Sequence, residues 1–93
     1  MEYEQVRALA VDVVDAARPA LTPREAESLD GLIGQAEPGL AAKFALDLAV
    51  QGRWMVPERL VDRLREWAAS VPRERYRRSI ERALAASALV GTA

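Results

Sequence analysis

The sequence predicts an all-α fold: a compact bundle of about five short helices, mostly antiparallel to their neighbours, with the third helix at the centre. Pro23, Pro38, Pro57 and Pro72 each stand just ahead of a run with helical spacing, where proline suits the first turn of a helix. Apolar residues recur three or four positions apart in these runs, and no stretch shows the alternation of a strand. The length of 93 residues suits a single helical domain over 1–93.

The first helix is expected over residues 2–17. Its apolar residues follow the i, i+3, i+4, i+7 spacing of a helix with one buried face. The residues of this stripe are Val6, Leu9, Ala10, Val13, Val14 and Ala17.

The second helix is expected over residues 22–36 and begins with a capping box. The Thr22 hydroxyl can accept a hydrogen bond from the Glu25 amide, while the Glu25 carboxylate accepts one from the Thr22 amide. Gly31 and Gly34 lie inside this helix, where each either weakens it or allows a close neighbour. The residues that it should bury are Ala26, Leu29, Leu32 and Ile33.

The third helix, over residues 39–51, is apolar around most of its circumference. Such a helix belongs in the middle of a bundle, where every side finds a neighbour. Gly52 should end it, because glycine adopts the left-handed conformation of a helix C-terminus at little cost. Its apolar residues are Leu40, Ala41, Phe44, Ala45, Leu46, Leu48, Ala49 and Val50.

The fourth and fifth helices are expected over residues 57–70 and 72–89. We predict Val56 as the N-cap of the fourth helix, and a frayed end after the fifth, from Val90 to Ala93. Both helices carry a single apolar stripe. The stripe residues are Leu60, Val61, Leu64, Trp67 and Ala68 in the fourth helix, and Tyr76, Ile80, Ala83 and Leu84 in the fifth.

The residue types present exclude most catalytic chemistry. The chain has no cysteine and no histidine, which removes disulfides, thiolate nucleophiles, ordinary catalytic triads and typical zinc sites. Asp12 and Asp15 lie one turn apart, but two carboxylates offer too few oxygens for a hard cation. The row of Glu58, Asp62 and Glu66 is interleaved with arginines and is typical of a solvated helix face. We therefore expect no enzymatic activity, no cofactor and no metal.

Charge is distributed unevenly along the chain. Residues 1–37 carry eight acids and three arginines, a net charge of −5, whereas residues 38–93 carry six acids and ten basic residues, a net charge of +4. Five arginines fall within residues 71–82. At helical spacing Glu74 can pair with Arg78 and Glu81 with Arg77, which leaves three arginines without a local partner. These three are Arg73, Arg75 and Arg82.

This pattern predicts a small adaptor or assembly module that binds another protein, or a second copy of itself, through complementary acidic and basic helix faces. Trp54 lies in a connection, where it either fills the core, the favoured interpretation, or contributes to an interface, since tryptophan and arginine often carry binding energy. The predicted contact residues are Arg73, Arg75, Arg78, Arg82, Trp54, Asp12 and Asp15.

Three other functions stay open at this point. In size, helix number and charge asymmetry the chain is compatible with a death-fold-like effector-associated or self-assembling domain of a bacterial signalling or defence system, and no motif assigns it to that family. An immunity protein or antitoxin could present the acidic half to a basic active site. An accessory nucleic-acid-binding subunit could use the arginines, although the net charge of −1 and the apolar third helix argue against nucleic acid.

The remaining sequence features concern the source and location of the chain. Twelve arginines, one lysine and 18 alanines are typical of a GC-rich bacterial genome. The N-terminus is acidic and its apolar character breaks at Asp12, unlike a secretory signal, and no apolar run approaches the ~18 residues of a membrane span. We expect a soluble, cytoplasmic protein with no membrane partner.

Overall fold

Five α-helices form the architecture, with one short 3₁₀ turn between the first two. The computed structural model describes residues 1–91, and no strand occurs among them. The prediction of an all-α bundle of five helices is confirmed. The helices are α1 (Tyr3–Ala17), α2 (Pro23–Gly34), α3 (Pro38–Val50), α4 (Glu58–Ser70) and α5 (Glu74–Gly91), and the 3₁₀ turn spans Arg18–Ala20.

The ends of three helices differ from the prediction. Helix α2 ends at Gly34, two residues earlier than predicted. Ala36 has a φ of 63°, and a residue in this left-handed conformation cannot be part of a right-handed helix. The predicted Val56 cap of α4 is wrong: Pro57 is the N-cap, while Val56 is buried and its amide donates to Ser87 Oγ at 2.9 Å. Helix α5 begins at Glu74, two residues later than predicted, and continues through Gly91, although fraying was predicted from Val90. Residues 92–93 lie outside the described part of the chain.

Two local predictions about helix ends are confirmed. The Thr22 hydroxyl accepts from the Glu25 amide at 3.1 Å, and a Glu25 carboxylate oxygen accepts from the Thr22 amide at 2.8 Å. Gly52 follows α3 with a φ of 81°, the left-handed conformation expected there. Both features depend on residues close in sequence, so the tertiary structure is not needed to specify them.

Helix α3 lies at the centre of the bundle, as predicted, and packs against α1, α2 and α5. Its inner side consists largely of buried alanines, so its neighbours can approach closely, and Leu46 is fully buried among them. Helix α4 packs on α5 and α1. The largest fully buried side chains of the core are Leu9, Val13, Val14, Leu46, Leu60, Leu64 and Ile80.

The start of α3 meets α4 and α5 at a close contact. The rings of Trp67 and Tyr76 lie 6.1 Å apart, centroid to centroid, and are tilted by 54°. A Cβ atom on Gly39 would stand 3.2 Å from Tyr76 Cε2, so glycine allows α3 to lie against this aromatic pair. Gly31, in contrast, has open space where its Cβ would be, and it therefore weakens α2 without allowing a closer contact.

Candidate protein-binding surface

Asp12 and Asp15, the two acidic contact candidates, each form an ion pair within the molecule. Asp12 Oδ2 accepts from Arg63 on α4 at 2.6 Å, which links α1 to α4. Asp15 Oδ1 accepts from Arg18 at 3.0 Å, and the same guanidinium binds both carboxylate oxygens of Asp30 on α2 at 3.0 Å. The hydrogen bonds from Arg18 hold the pKa of Asp30 below its ordinary value. A partner that bound either contact candidate would have to compete with these internal pairs.

A second cross-link joins the acidic half of the chain to the basic half. The Arg53 guanidinium donates to both carboxylate oxygens of Glu25, at 2.6 and 2.7 Å, and to the Ala20 carbonyl at 2.7 Å. Because Arg53 and the Thr22 amide both donate to the carboxylate, the pKa of Glu25 falls to about 2. Part of the predicted charge complementarity is therefore satisfied inside one molecule.

The lowered pKa of Glu25 makes stability depend on pH in the acid range. A carboxyl whose pKa is lower in the folded than in the unfolded chain stabilises the fold above its unfolded pKa, ordinarily about 4.5. This contribution is lost as the pH falls from about 4.5 towards 2. In urea titrations at a series of pH values, wild type should lose free energy of unfolding over this window more steeply than Glu25→Gln.

The matched control is Glu27→Gln, which removes an acid of the same helix that forms no ion pair within residues 1–91. Equal slopes for wild type and Glu25→Gln would show that the Arg53 pair adds nothing to stability.

Helix α5 carries a row of exposed arginines, Arg75, Arg78 and Arg82, spaced i, i+3, i+7 and called here the α5 arginine row. Arg78 pairs with Glu74 at 3.1 Å, as predicted, in a highly exposed contact. Arg75 lies over the Tyr76 ring, with its guanidinium carbon 5.5 Å from the centroid. Neither Arg75 nor Arg82 forms an ion pair within the described part of the chain. Two strong cations are thus presented at the surface.

The α5 arginine row runs beside α3. Ser79 Oγ donates to Asp47 Oδ1 of α3 at 2.7 Å, and Ala86 lines the same small cavity as Val50 of α3. Ser79 lies four positions after Arg75, and Ala86 lies four positions after Arg82. Residues four apart are neighbours on the surface of a helix. The row therefore lies along the edge of α5 that borders α3.

The other arginines of this segment make contacts with nearby groups. Arg73 donates to the Tyr76 hydroxyl at 3.2 Å, so it is less available to a partner than the sequence indicated. The predicted pair between Arg77 and Glu81 is wrong: Arg77 reaches back to the Val71 carbonyl at 3.5 Å. Because α5 begins after Val71, that carbonyl is outside the helix and free to accept.

Trp54 lies in the core and not at the surface where a contact residue would be needed. Its side chain is 9% exposed, and its indole N–H donates to the Ala45 carbonyl of α3 at 2.7 Å. The tryptophan thereby anchors the connection between α3 and α4 on the central helix.

The outer side of α3 was missed as a candidate surface. Leu40, Phe44, Asp47 and Gln51 recur at i, i+4, i+7, i+11 and form one line along this side, which we call the α3 strip. Phe44 is 45% exposed, although the sequence placed it in the interior. A groove of about 460 Å³ lies beside it, between α2 and α3, and is mostly apolar. Its lining residues are Arg24, Glu25, Ser28, Leu29, Phe44, Asp47, Leu48 and Gln51.

A signal for this outer side is present in the sequence. Lys43 and Asp47 are the two charged residues of the otherwise apolar α3, and they are spaced i, i+4. They form an ion pair at 2.6 Å, and the Lys43 ammonium lies 5.2 Å from the centroid of the Phe44 ring. Charged residues four apart in an apolar helix mark the side that faces away from the core.

Comparison of the chain with protein-family models, with curated proteins and with solved structures gave no match in any of the three. Within residues 1–91, no helix has both the length and the apolar character needed to cross a membrane. In the same residues, acidic side chains nowhere gather in a group of three that could hold a metal ion.

Proposed function

We propose that the chain is a non-enzymatic adaptor or assembly module, and that it binds an acidic segment of another protein through the α5 arginine row. The observation that carries this proposal is an imbalance between the two charged halves. Within residues 1–91, four of the eight acids of residues 1–37 form no ion pair, against six of the ten basic residues of residues 38–93, and the exposed Arg75 and Arg82 are among these six. Exposed arginine at the centre of a contact commonly contributes strongly to binding.

This imbalance favours a separate partner over a second copy of the chain. Head-to-tail assembly of the death-fold type would need a free acidic face to meet the arginines. An immunity protein or antitoxin would need the same face to block a basic active site. In both cases Asp12, Asp15, Glu25 and Asp30 could take part only by leaving their present partners, at the cost of those hydrogen bonds. The exposed acids of residues 1–37 that form no ion pair within residues 1–91 are Glu2, Glu4, Glu27 and Glu37.

The arginines could also attract nucleic acid, but the surroundings favour protein. Glu74 and Glu81 lie on the exposed side of the same helix and would face the phosphates. A nucleic-acid surface is usually basic over a wide area, and the chain as a whole carries a net charge of −1. The carboxylates of an acidic protein segment are spaced apart, so they can contact the arginines of the row without lying against Glu74 and Glu81.

Reversing two charges of the row tests the proposal. The probe is a fluorescent helical peptide of about four turns, with glutamates on one face and apolar residues on the other. We expect Arg75→Glu with Arg82→Glu to weaken its binding by about tenfold or more, because attraction becomes repulsion at both positions. Fluorescence anisotropy gives the affinities, and raising the salt concentration should weaken wild-type binding.

The matched control is Arg7→Glu with Arg59→Glu, which makes the same charge change on exposed positions of α1 and α4. If the two double variants lost the same peptide affinity, the effect would be due to net charge, and the α5 arginine row would not be the interface. If the wild-type chain bound a DNA duplex more tightly than the peptide, the partner would be nucleic acid and the proposal of a protein partner would be wrong.

A further inference from the structure

We infer that the bound segment is an acidic amphipathic helix that lies along the α3 strip. Its apolar face rests on Phe44 and the neighbouring groove, and its carboxylates meet Arg24 on one side and the α5 arginine row on the other. This inference rests on the proposed function and specifies the form of the partner.

The first step is that the outer side of α3 has apolar surface to offer. Helix α3 packs against α1, α2 and α5, and these contacts leave the α3 strip facing outwards. Phe44 exposes 45% of its surface and Val50 40%, an unusual amount for the central helix of a bundle. Leu40 and Leu48 beside them are only partly buried. A partner that covered these side chains would remove apolar area from water, which favours association.

The second step is that the carboxylates within and beside the strip are already paired. Asp47 accepts from Lys43 at 2.6 Å through one oxygen and from Ser79 at 2.7 Å through the other. At the groove edge, the Glu25 carboxylate accepts from both terminal nitrogens of the Arg53 guanidinium. An apolar face laid over the strip therefore meets carboxylates that keep their hydrogen bonds.

The third step is the charge at the margins. Arg24 lines the groove on the α2 side, is exposed, and forms no ion pair within residues 1–91. Arg75 and Arg82 lie on the edge of α5 that borders α3. The strip and its groove thus present apolar side chains with unpaired positive charge on both sides. Its electrostatic complement is a helix with an apolar face and acidic flanks.

The dimensions agree with a helix as the occupant. Packed helices lie about 8–10 Å apart, so α2 and α5 stand one helix width to either side of α3. A helix is about 10–12 Å wide with its side chains, and arginine side chains on both neighbours can reach its flanks. Helix α3 has 13 residues, which matches a partner with apolar anchors at i, i+3, i+4 and i+7.

Three peptides of equal length separate shape from charge: the acidic amphipathic helix, the same composition in scrambled order, and the amphipathic helix with glutamine for every glutamate. Wild type should bind the first about tenfold or more tightly than either of the others. Phe44→Ser should lose most of this preference. The matched control is Tyr3→Ser, an equally exposed aromatic on α1, which should keep it.

Amide chemical shifts of the wild-type chain, recorded during the same titration, do not depend on any variant folding. They should move along residues 40–51 and on the facing edges of α2 and α5. Shifts confined to α5, together with equal binding of the ordered and scrambled acidic peptides, would overturn the helix on α3 and leave the proposed function standing.

The converse result is also distinct. In this result the glutamine peptide binds as tightly as the acidic one, binding is lost in Phe44→Ser, and charge reversal of Arg75 and Arg82 changes nothing. The strip would then bind a helix without the arginines, and the proposed function would be wrong. A Phe44-dependent rise in mass with concentration, measured by light scattering without peptide, would make a second copy the occupant. Absence of binding by all three peptides would overturn both proposals.

Discussion

Leu46→Ala should lower the free energy of unfolding by about 2–5 kcal/mol, a large part of the roughly 5–14 kcal/mol expected for a domain of this size. Leu46 is fully buried on the inner side of α3, the helix on which α1, α2 and α5 all pack. Truncation removes apolar contacts and leaves a cavity that its neighbours cannot fill without shifting three interfaces. Equilibrium unfolding in urea, followed by circular dichroism, measures the change.

Leu48→Ala is the control for this prediction. It makes the same chemical change two residues further along α3, where the side chain is only partly buried at the edge of the groove. Its cost should be well below that of Leu46→Ala. If Leu46→Ala cost as little as Leu48→Ala, α3 would be an ordinary surface helix and not the centre of the bundle.

Trp54→Ala should cost about 3–5 kcal/mol, because a buried indole is lost together with its hydrogen bond to the Ala45 carbonyl. Trp54→Phe keeps most of the apolar contact and removes the donor, so its cost should be nearer about 1 kcal/mol. Thermal and urea unfolding of both variants give the two values. The difference between them separates packing from hydrogen bonding at this position.

Met55→Ala, at the adjacent and half-exposed position, is the control and should change stability by less than about 1 kcal/mol. If Trp54→Ala were as stable as Met55→Ala, Trp54 would not be a core residue, and the hypothesis that it contributes to an interface would be favoured. The connection between α3 and α4 would then not be anchored on the central helix.

The fold was predictable where the deciding residues are close in sequence. The stripe from Leu9 to Ala17 needs only the period of a helix, and the Thr22 and Glu25 capping box needs only a spacing of three. The central place of α3 followed from its apolar circumference. The end of α2 was less predictable, because the left-handed conformation of Ala36 is unfavourable for an alanine. It is closed by local hydrogen bonds, from the Glu37 amide to the Leu32 carbonyl at 2.8 Å and from the Ala36 amide to the Ile33 carbonyl at 3.3 Å, in an arrangement that glycine usually forms.

The surface was less predictable because it depends on which helices meet. Asp12 and Arg63 are 51 residues apart, and no spacing rule connects them. The local rule that correctly paired Glu74 with Arg78 failed for Arg77, for which a carbonyl lay within reach. Ion pairs at the surface are worth little, so small differences in geometry decide which of them form.

Phe44 shows a further limit of the pattern. An apolar period tells which residues can be buried, but the number of neighbouring helices decides which of them are. With α1, α2 and α5 around it, α3 keeps one side open. The Lys43 and Asp47 pair was the available indication of that side.

A charge-swap titration tests the central claim most directly, namely that the α5 arginine row binds an acidic protein segment. The wild-type chain and the variant with Arg75→Glu and Arg82→Glu are each titrated with the acidic amphipathic peptide and with its lysine-for-glutamate counterpart. The wild type should prefer the acidic peptide and the variant the basic one, while Arg7→Glu with Arg59→Glu keeps the wild-type preference. The same preference in all three chains would contradict the assignment of binding to α5.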